Sequence, residues 1–285
     1  MPETTSTIAP ADSAATAATE PNRLPGMFAR VAAEGRTAIM PFATAGYPTM
    51  AISEQIILAL VEAGADGIEI GIPFSDPIAD GTAVQRTSQV SLDQGTRLKD
   101  VLDLVRRLRA QGVTVPLLLM GYLNPPRKYG VERYVADATA AGADGFIVPD
   151  LPVEESDAFH AACVAHGRSL IYMVAPTSTE SRLEATAQRA SGFIYCVAVT
   201  GVTGARESLS ATLGAYLDRI RAHTDVPLVV GFGISKPEHV QEVGQHANGA
   251  IVASALINYM DSVPDAEKPA AAARFFRYMQ GNGEL

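Results

Sequence analysis

Ala63-Gly64-Ala65-Asp66-Gly67-Ile68-Glu69-Ile70-Gly71-Ile72 returns in its first half as Ala141-Gly142-Ala143-Asp144-Gly145, followed there by Phe146, Ile147 and Val148. In both copies a helical stretch stops at a glycine and a β-rich apolar run begins within two residues, the short αβ turn of a repeated unit. Working outward, the same alternation of apolar run, polar loop and amphipathic stretch gives eight runs: Thr37 to Thr44, Asp66 to Ile72, Val115 to Tyr122, Gly145 to Pro149, Ser169 to Val174, Phe193 to Ala198, Pro227 to Phe232 and Gly249 to Ala253. Most are continuous apolar strings, as expected of parallel strands covered on both faces by helices.

Eight such units predict an α/β fold, a single (β/α)8 TIM barrel with extra helices over residues 23–285, since closure removes the edges that an open sheet must protect. The 285 residues suit one barrel of this kind. Residues 73–95 form the longest insertion, between the second run and the helical stretch Leu98 to Arg109. Loops after barrel strands lie at the C-terminal mouth, where chemistry is done.

A net charge of −9 argues against a nucleic-acid or anionic membrane surface, which requires clustered Lys and Arg. No apolar run approaches the roughly 20 residues that cross a bilayer. Residues 1–22 contain acidic Glu3, Asp12 and Glu20 but no Lys or Arg, so they read as a disordered tail, not a secretory or organelle signal. The chain is expected to be soluble and cytoplasmic. Cys163 and Cys196, without metal-ligand spacing, read as reduced, buried small hydrophobes.

The four lysines, Lys99, Lys128, Lys236 and Lys268, all fall outside the predicted strands, which argues against a Schiff-base mechanism inside the barrel. The five histidines, His160, His166, His223, His239 and His246, fall on helical segments or their ends, so no metal site is expected. What the strands do contain is Glu69. If Ile68 and Ile70 face the helices, Glu69 projects into the barrel, loses hydration and has its pKa raised toward the range of a general acid or base. Position alone leaves it equally a strand-end Glu bonded to backbone or an Arg. Asp80-Gly81 likewise reads as a turn pair or as a second acid, and Asp76 as a loop-fixing residue. Small residues end three late strands, at Thr200 to Gly204, Gly231 to Ser235 and Ala253 to Ala255, a pattern that lets backbone N–H groups approach a phosphate.

Ile68 to Gly81 as a whole resembles the signature segment of tryptophan synthase α subunits. Pro41-Phe42 with Thr44 to Gly46, Tyr122 with Asn124-Pro125, Asp150 to Pro152 with Glu154-Glu155, Gly201 to Gly204 and Gly231 to Ser235 extend the likeness from about Met27 to Ala255. The resemblance implies retro-aldol cleavage of indole-3-glycerol phosphate to indole and glyceraldehyde 3-phosphate. It makes Glu69 the general acid/base at indole C3 and Asp80 the partner of the indole N–H. It further implies that Phe42, Tyr122, Tyr195 and Phe232 line the indole or glycerol pocket, that Gly204, Gly233 and Ser254 hold phosphate, and that Thr203 sits on a mobile loop closing over Asp80. No cofactor is expected in this chain. Pro73 to Pro77 and Asn124 to Pro126 are expected to face a β subunit, whose pyridoxal phosphate joins indole to serine in an αββα assembly. Departures from the family pattern are Thr82 for Pro, Ala198 for Ser, Ala253 for Gly and Gly121 for Thr. Two alternatives stay open: a stand-alone indole-3-glycerol phosphate lyase, and a catalytically silent barrel that activates a partner.

Overall fold

The computed structural model describes residues 20–197, 206–231 and 233–285. Its strands are β1 (Ala38–Thr44), β2 (Ile68–Gly71), β3 (Leu117–Met120), β4 (Gly145–Ile147), β5 (Ser169–Val174), β6 (Ile194–Val197), β7 (Leu228–Gly231) and β8 (Gly249–Val252). They close into a barrel in chain order, with β8 pairing back onto β1 and every pair parallel. All eight predicted runs contain a strand, most of them shorter than the run by a residue or more at one or both ends. In β4 the reason is chemical, since Pro149 has no N–H to extend the ladder.

The helices among the described residues are α1 (Leu24–Ala33), α2 (Met50–Glu62), α3 (Thr82–Asp93), α4 (Leu98–Ala110), α5 (Asn124–Tyr129), α6 (Val131–Ala141), α7 (Asp157–Ala165), α8 (Glu180–Arg189), α9 (Arg206–Arg221), α10 (Pro237–Gly244), α11 (Ser254–Met260) and α12 (Lys268–Met279). The barrel therefore carries extra helices, and the insertion at 73–95 proves to hold one of them, α3. No helix of the described residues is long and apolar enough to cross a membrane.

The repeated Asp has a structural task in both copies. Buried Asp66 accepts the backbone N–H of Ile39 at 3.0 Å, and buried Asp144 accepts that of Leu117 at 2.9 Å. Each thus ties the foot of its own strand to the foot of the preceding one. Arginines neutralise both carboxylates, Arg36 and Arg30 at Asp66, Arg109 and Arg23 at Asp144. An unpaired buried carboxylate would be costly, so the pairing is a condition of the turn. Within the segment read as a tail, residues 1–19 lie outside the described residues. Glu20 accepts a bond through its carbonyl from Arg168, and Asn22 donates to the Asp144 carbonyl and to Ser169.

Alternation along the strands sorts the interior into tiers. Met40, Leu118, Ile171 and Val229 belong to the odd strands, and with Ile147, Tyr195 and Ile251 of the even strands they form a cluster separate from the one packed under the helices. Helix α1 closes this inner cluster from below with Leu24, Met27, Phe28 and Val31, and Phe28 meets Phe193 edge-on at 6.1 Å. The floor is a packed plug of side chains, as barrels of this kind require.

Candidate active site

In the upper tier of even strands, Ile147, Tyr195 and Ile251 supply three members and Glu69 the fourth. Ile68 and Ile70 are fully buried in the outer cluster against the helices, so the period-2 alternation turns Glu69 inward. Above this tier opens a cavity of about 320 Å³, lined by Glu69, Phe42, Met120, Met173, Tyr195 and the loops after β2, β7 and β8. Two glycines shape it. A Cβ on Gly71 would lie 2.4 Å from the Phe42 ring, and one on Gly231 would lie 2.1 Å from the Tyr195 hydroxyl. Both aromatic rings therefore occupy space that a side chain on the neighbouring strand would take.

Glu69 is 2% exposed, and its Oε2 has no hydrogen-bond partner among the described residues. Burial raises its pKa from 4.5 to about 8, and the charge of Asp80 adds to the rise. Asp80 lines the same cavity from the loop between β2 and α3. Burial raises its pKa too, but the Tyr122 hydroxyl holds it down, to about 6. At neutral pH one carboxyl is therefore protonated and the other ionised, the separation that assigns acid and base roles to paired carboxylates.

The Asp80 loop is fastened on several sides. Ala79 N–H donates to the Tyr122 hydroxyl at 2.9 Å, and Gln85 Nε2 donates to the Asp80 carbonyl at 2.7 Å. Helix α3, which starts at Thr82 directly after the loop, is tied to β1 by Thr87 against Thr44 at 2.7 Å and to the next residue by Ser91 to the Ala45 carbonyl at 2.6 Å. These bonds hold the loop and the start of α3 at Thr82 against the barrel. Gly121 also has a local reason: a Cβ there would lie 2.9 Å from Cβ of Ile72, so the isoleucine fills the room of a larger residue.

Of the residues singled out from sequence, Phe42, Glu69, Asp80, Tyr195, Gly233 and Ser254 line the cavity, as does Ala253. Tyr122 stands behind Asp80, stacked on Phe74 with ring centroids 5.1 Å apart. Thr203, Gly204, Phe232 and Ala198 lie outside the described residues. The cavity also uses Met120, Met173, Ile147, Ile251 and Asn258, which the sequence reading passed over. Strand parity marks the first four, two residues on from inward-facing Leu118 and Ile171 or level with Tyr195. Asn258 follows Ser254 at helical spacing. Among the described residues no group of three His, Cys, Asp or Glu is placed to hold a metal ion.

Closed barrel, apolar cavity and paired carboxylates of divergent acidity define a (β/α)8 barrel whose C-terminal mouth is equipped for acid–base chemistry. The model of the tryptophan synthase alpha chain family matches residues 28–282. Alpha chains from Roseiflexus sp. (strain RS-1) and Chloroflexus aggregans are 51% and 46% identical, over 91% and 90% of this chain and 100% and 96% of theirs. A crystal structure of tryptophan synthase subunit alpha from Legionella pneumophila str. Paris superposes with a TM-score of 0.85 at 34% identity, covering 92% of this chain and 98% of that one. Tryptophan synthase from M. tuberculosis, in an open form, gives 0.81 at 32% identity, covering 91% and 99%. The chain belongs to the tryptophan synthase alpha chain family. It is a carbon–carbon lyase of tryptophan biosynthesis that cleaves indole-3-glycerol phosphate, it works with a β subunit, and its family has no cofactor of its own.

Proposed function

We propose that Glu69 and Asp80 divide the cleavage between them. The observation that carries this reading is the opposed acidity of two carboxyls on one apolar cavity. Protonated Glu69 delivers its proton to C3 of the indole ring, and the ring nitrogen takes up the positive charge. Ionised Asp80 accepts the indole N–H and stabilises that charge. The C3 to side-chain bond then breaks, its electron pair restores the aromatic ring, and the adjacent hydroxyl becomes the aldehyde of glyceraldehyde 3-phosphate. The hydroxyl proton returns to the Glu69 carboxylate, which resets the acid. Phe42 and Tyr195 bound the ring, Tyr122 supports Asp80 from behind, and the phosphate rests against Gly233 and Ser254. Thr203, Gly204 and Phe232 complete the site by family likeness.

Indole then passes to the β subunit, where pyridoxal phosphate supports its condensation with serine in a cytoplasmic αββα assembly. Ile78, 84% exposed beside the segment Pro73 to Pro77, suits a docking face there. Purified chain is expected to release indole from indole-3-glycerol phosphate without added metal or cofactor, and to do so faster with a β subunit. Full activity alone with no response to the β subunit would favour a stand-alone lyase. Ile78→Ser is expected to leave the basal rate within about twofold, as an exposed substitution should, while weakening the β response. A normal response would remove Ile78 from the interface.

The pH dependence of kcat/KM follows from the two acidities. Activity needs Asp80 ionised and Glu69 protonated, so it rises with pH through about 6 and falls through about 8. The substrate phosphate also titrates near 6, by the general value of about 6 for phosphate esters, so the alkaline limb is the diagnostic one. A rate that is flat from neutrality to pH 10 would contradict Glu69 as the acid.

A further inference from the structure

The described lining of the cavity holds two carboxylates and no Lys, Arg or His, yet the ligand of this site carries a phosphate. Backbone N–H groups offer partial charges only, and ionised Asp80 opposes a second anion. Among the described residues, two basic side chains are bonded directly to lining residues. His239 on α10 has its Nδ1 occupied by the backbone, 3.3 Å from Ser235 N and 3.1 Å from the Gly233 carbonyl. Arg86 on α3, always charged, instead has Nη2 3.4 Å from Oδ1 of Asn258 and paired with Asp261. Asn258 lies one helical turn beyond Ser254, and both line the cavity. At the other end of the same contact, a Cβ on Gly81 would be 3.8 Å from Ser254 Oγ, so α3 runs alongside the proposed phosphate position. One turn separates side chains by about 5–6 Å, within reach of an arginine.

Both bonds of the guanidinium use the same nitrogen. Nε and Nη1 make no hydrogen bond among the described residues, and Arg86 is 47% exposed, so the second edge of the fork is free. Asp261 is itself anchored by Tyr47 and by buried Lys268, which holds the guanidinium's occupied edge in place. A planar fork with one edge fixed and one free matches the oxygens of a phosphate. Lys236, although it follows cavity-lining Ser235, bonds to no lining residue among those described.

We propose that Arg86 is the cationic partner of the substrate phosphate, held by Asp261 and presenting its free edge to a non-bridging oxygen. This rests on the reading that the phosphate lies at Gly233 and Ser254. The test uses the full chain and two ligands, glycerol 3-phosphate and indole. Arg86→Gln is expected to weaken glycerol 3-phosphate by about tenfold or more, from the strength of charge-assisted bonds, and to raise KM with kcat little changed. Indole binding stays as in the parent, Arg86→Lys recovers part of the loss, and Lys236→Gln has no comparable effect. A role confined to bracing α3 against α11 predicts instead equal losses for both ligands or none, and either result overturns the proposal. Ser254→Asp separates the two levels. If it abolishes glycerol 3-phosphate binding while Arg86→Gln leaves binding intact, the phosphate position stands and Arg86 falls. If Ser254→Asp also binds normally, the phosphate lies elsewhere and both readings fall.

Discussion

Glu69→Gln is expected to lower indole release by about 10³-fold or more, the scale for loss of a positioned general acid, with the barrel still folded. Glutamine fills the same space between Ile147, Tyr195 and Ile251 but has no proton of suitable acidity for C3. The loss falls on kcat, because the transferred proton matters in the transition state and little in the bound substrate. The same substitution has an opposite effect on stability. Glu69 is more acidic in the unfolded chain, near 4.5, than in the fold, near 8, so the native state binds more protons between these values. Stability therefore falls as pH rises through that window, and above it the fold holds a buried carboxylate whose Oε2 has no partner among the described residues. Relative to the parent, Glu69→Gln gains by a few kcal/mol at most between pH 5 and pH 9, from about 1.4 kcal/mol per pKa unit. Urea denaturation at the two pH values, beside a single-turnover indole assay, reads both effects. Turnover unchanged in the variant would reject the assignment, and a stability gap independent of pH would reject the raised acidity.

Asp80→Asn is expected to lower kcat by about 10² to 10³-fold, the scale of losing one preorganised electrostatic contact to a developing charge. Asparagine can still accept the indole N–H through its amide oxygen, so KM changes little. What disappears is the negative charge opposite a nitrogen that turns positive as C3 is protonated. The alkaline limb of the pH profile also moves. Asp80 is part of what raises Glu69, and without that charge Glu69 titrates at lower pH, so the limb shifts down. A variant whose KM rises tenfold at unchanged kcat would make Asp80 a binding residue only.

Sequence alone determined the eight covered strands and their parallel pairing, because these follow from local periodicity; closure was expected from the number of units, and the inward direction of Glu69 followed only if Ile68 and Ile70 face the helices. A continuous apolar run with a glycine turn at its foot reads as a covered strand, and once Ile68 and Ile70 take one face the residue between them takes the other. The signature from Ile68 to Gly81 supplied the family likeness on top of this. Other features lay beyond local reading, since they are sums over residues far apart in the chain. The plug formed by α1, the Phe42 and Tyr195 rings lying over Gly71 and Gly231, and the anchoring of Asp80 through Tyr122 each join different strands. The separation of the two carboxyls is of the same kind. How far burial raises each one depends on how many apolar neighbours from other strands exclude water and on which hydroxyl stands nearby, and only the closed barrel brings those groups together.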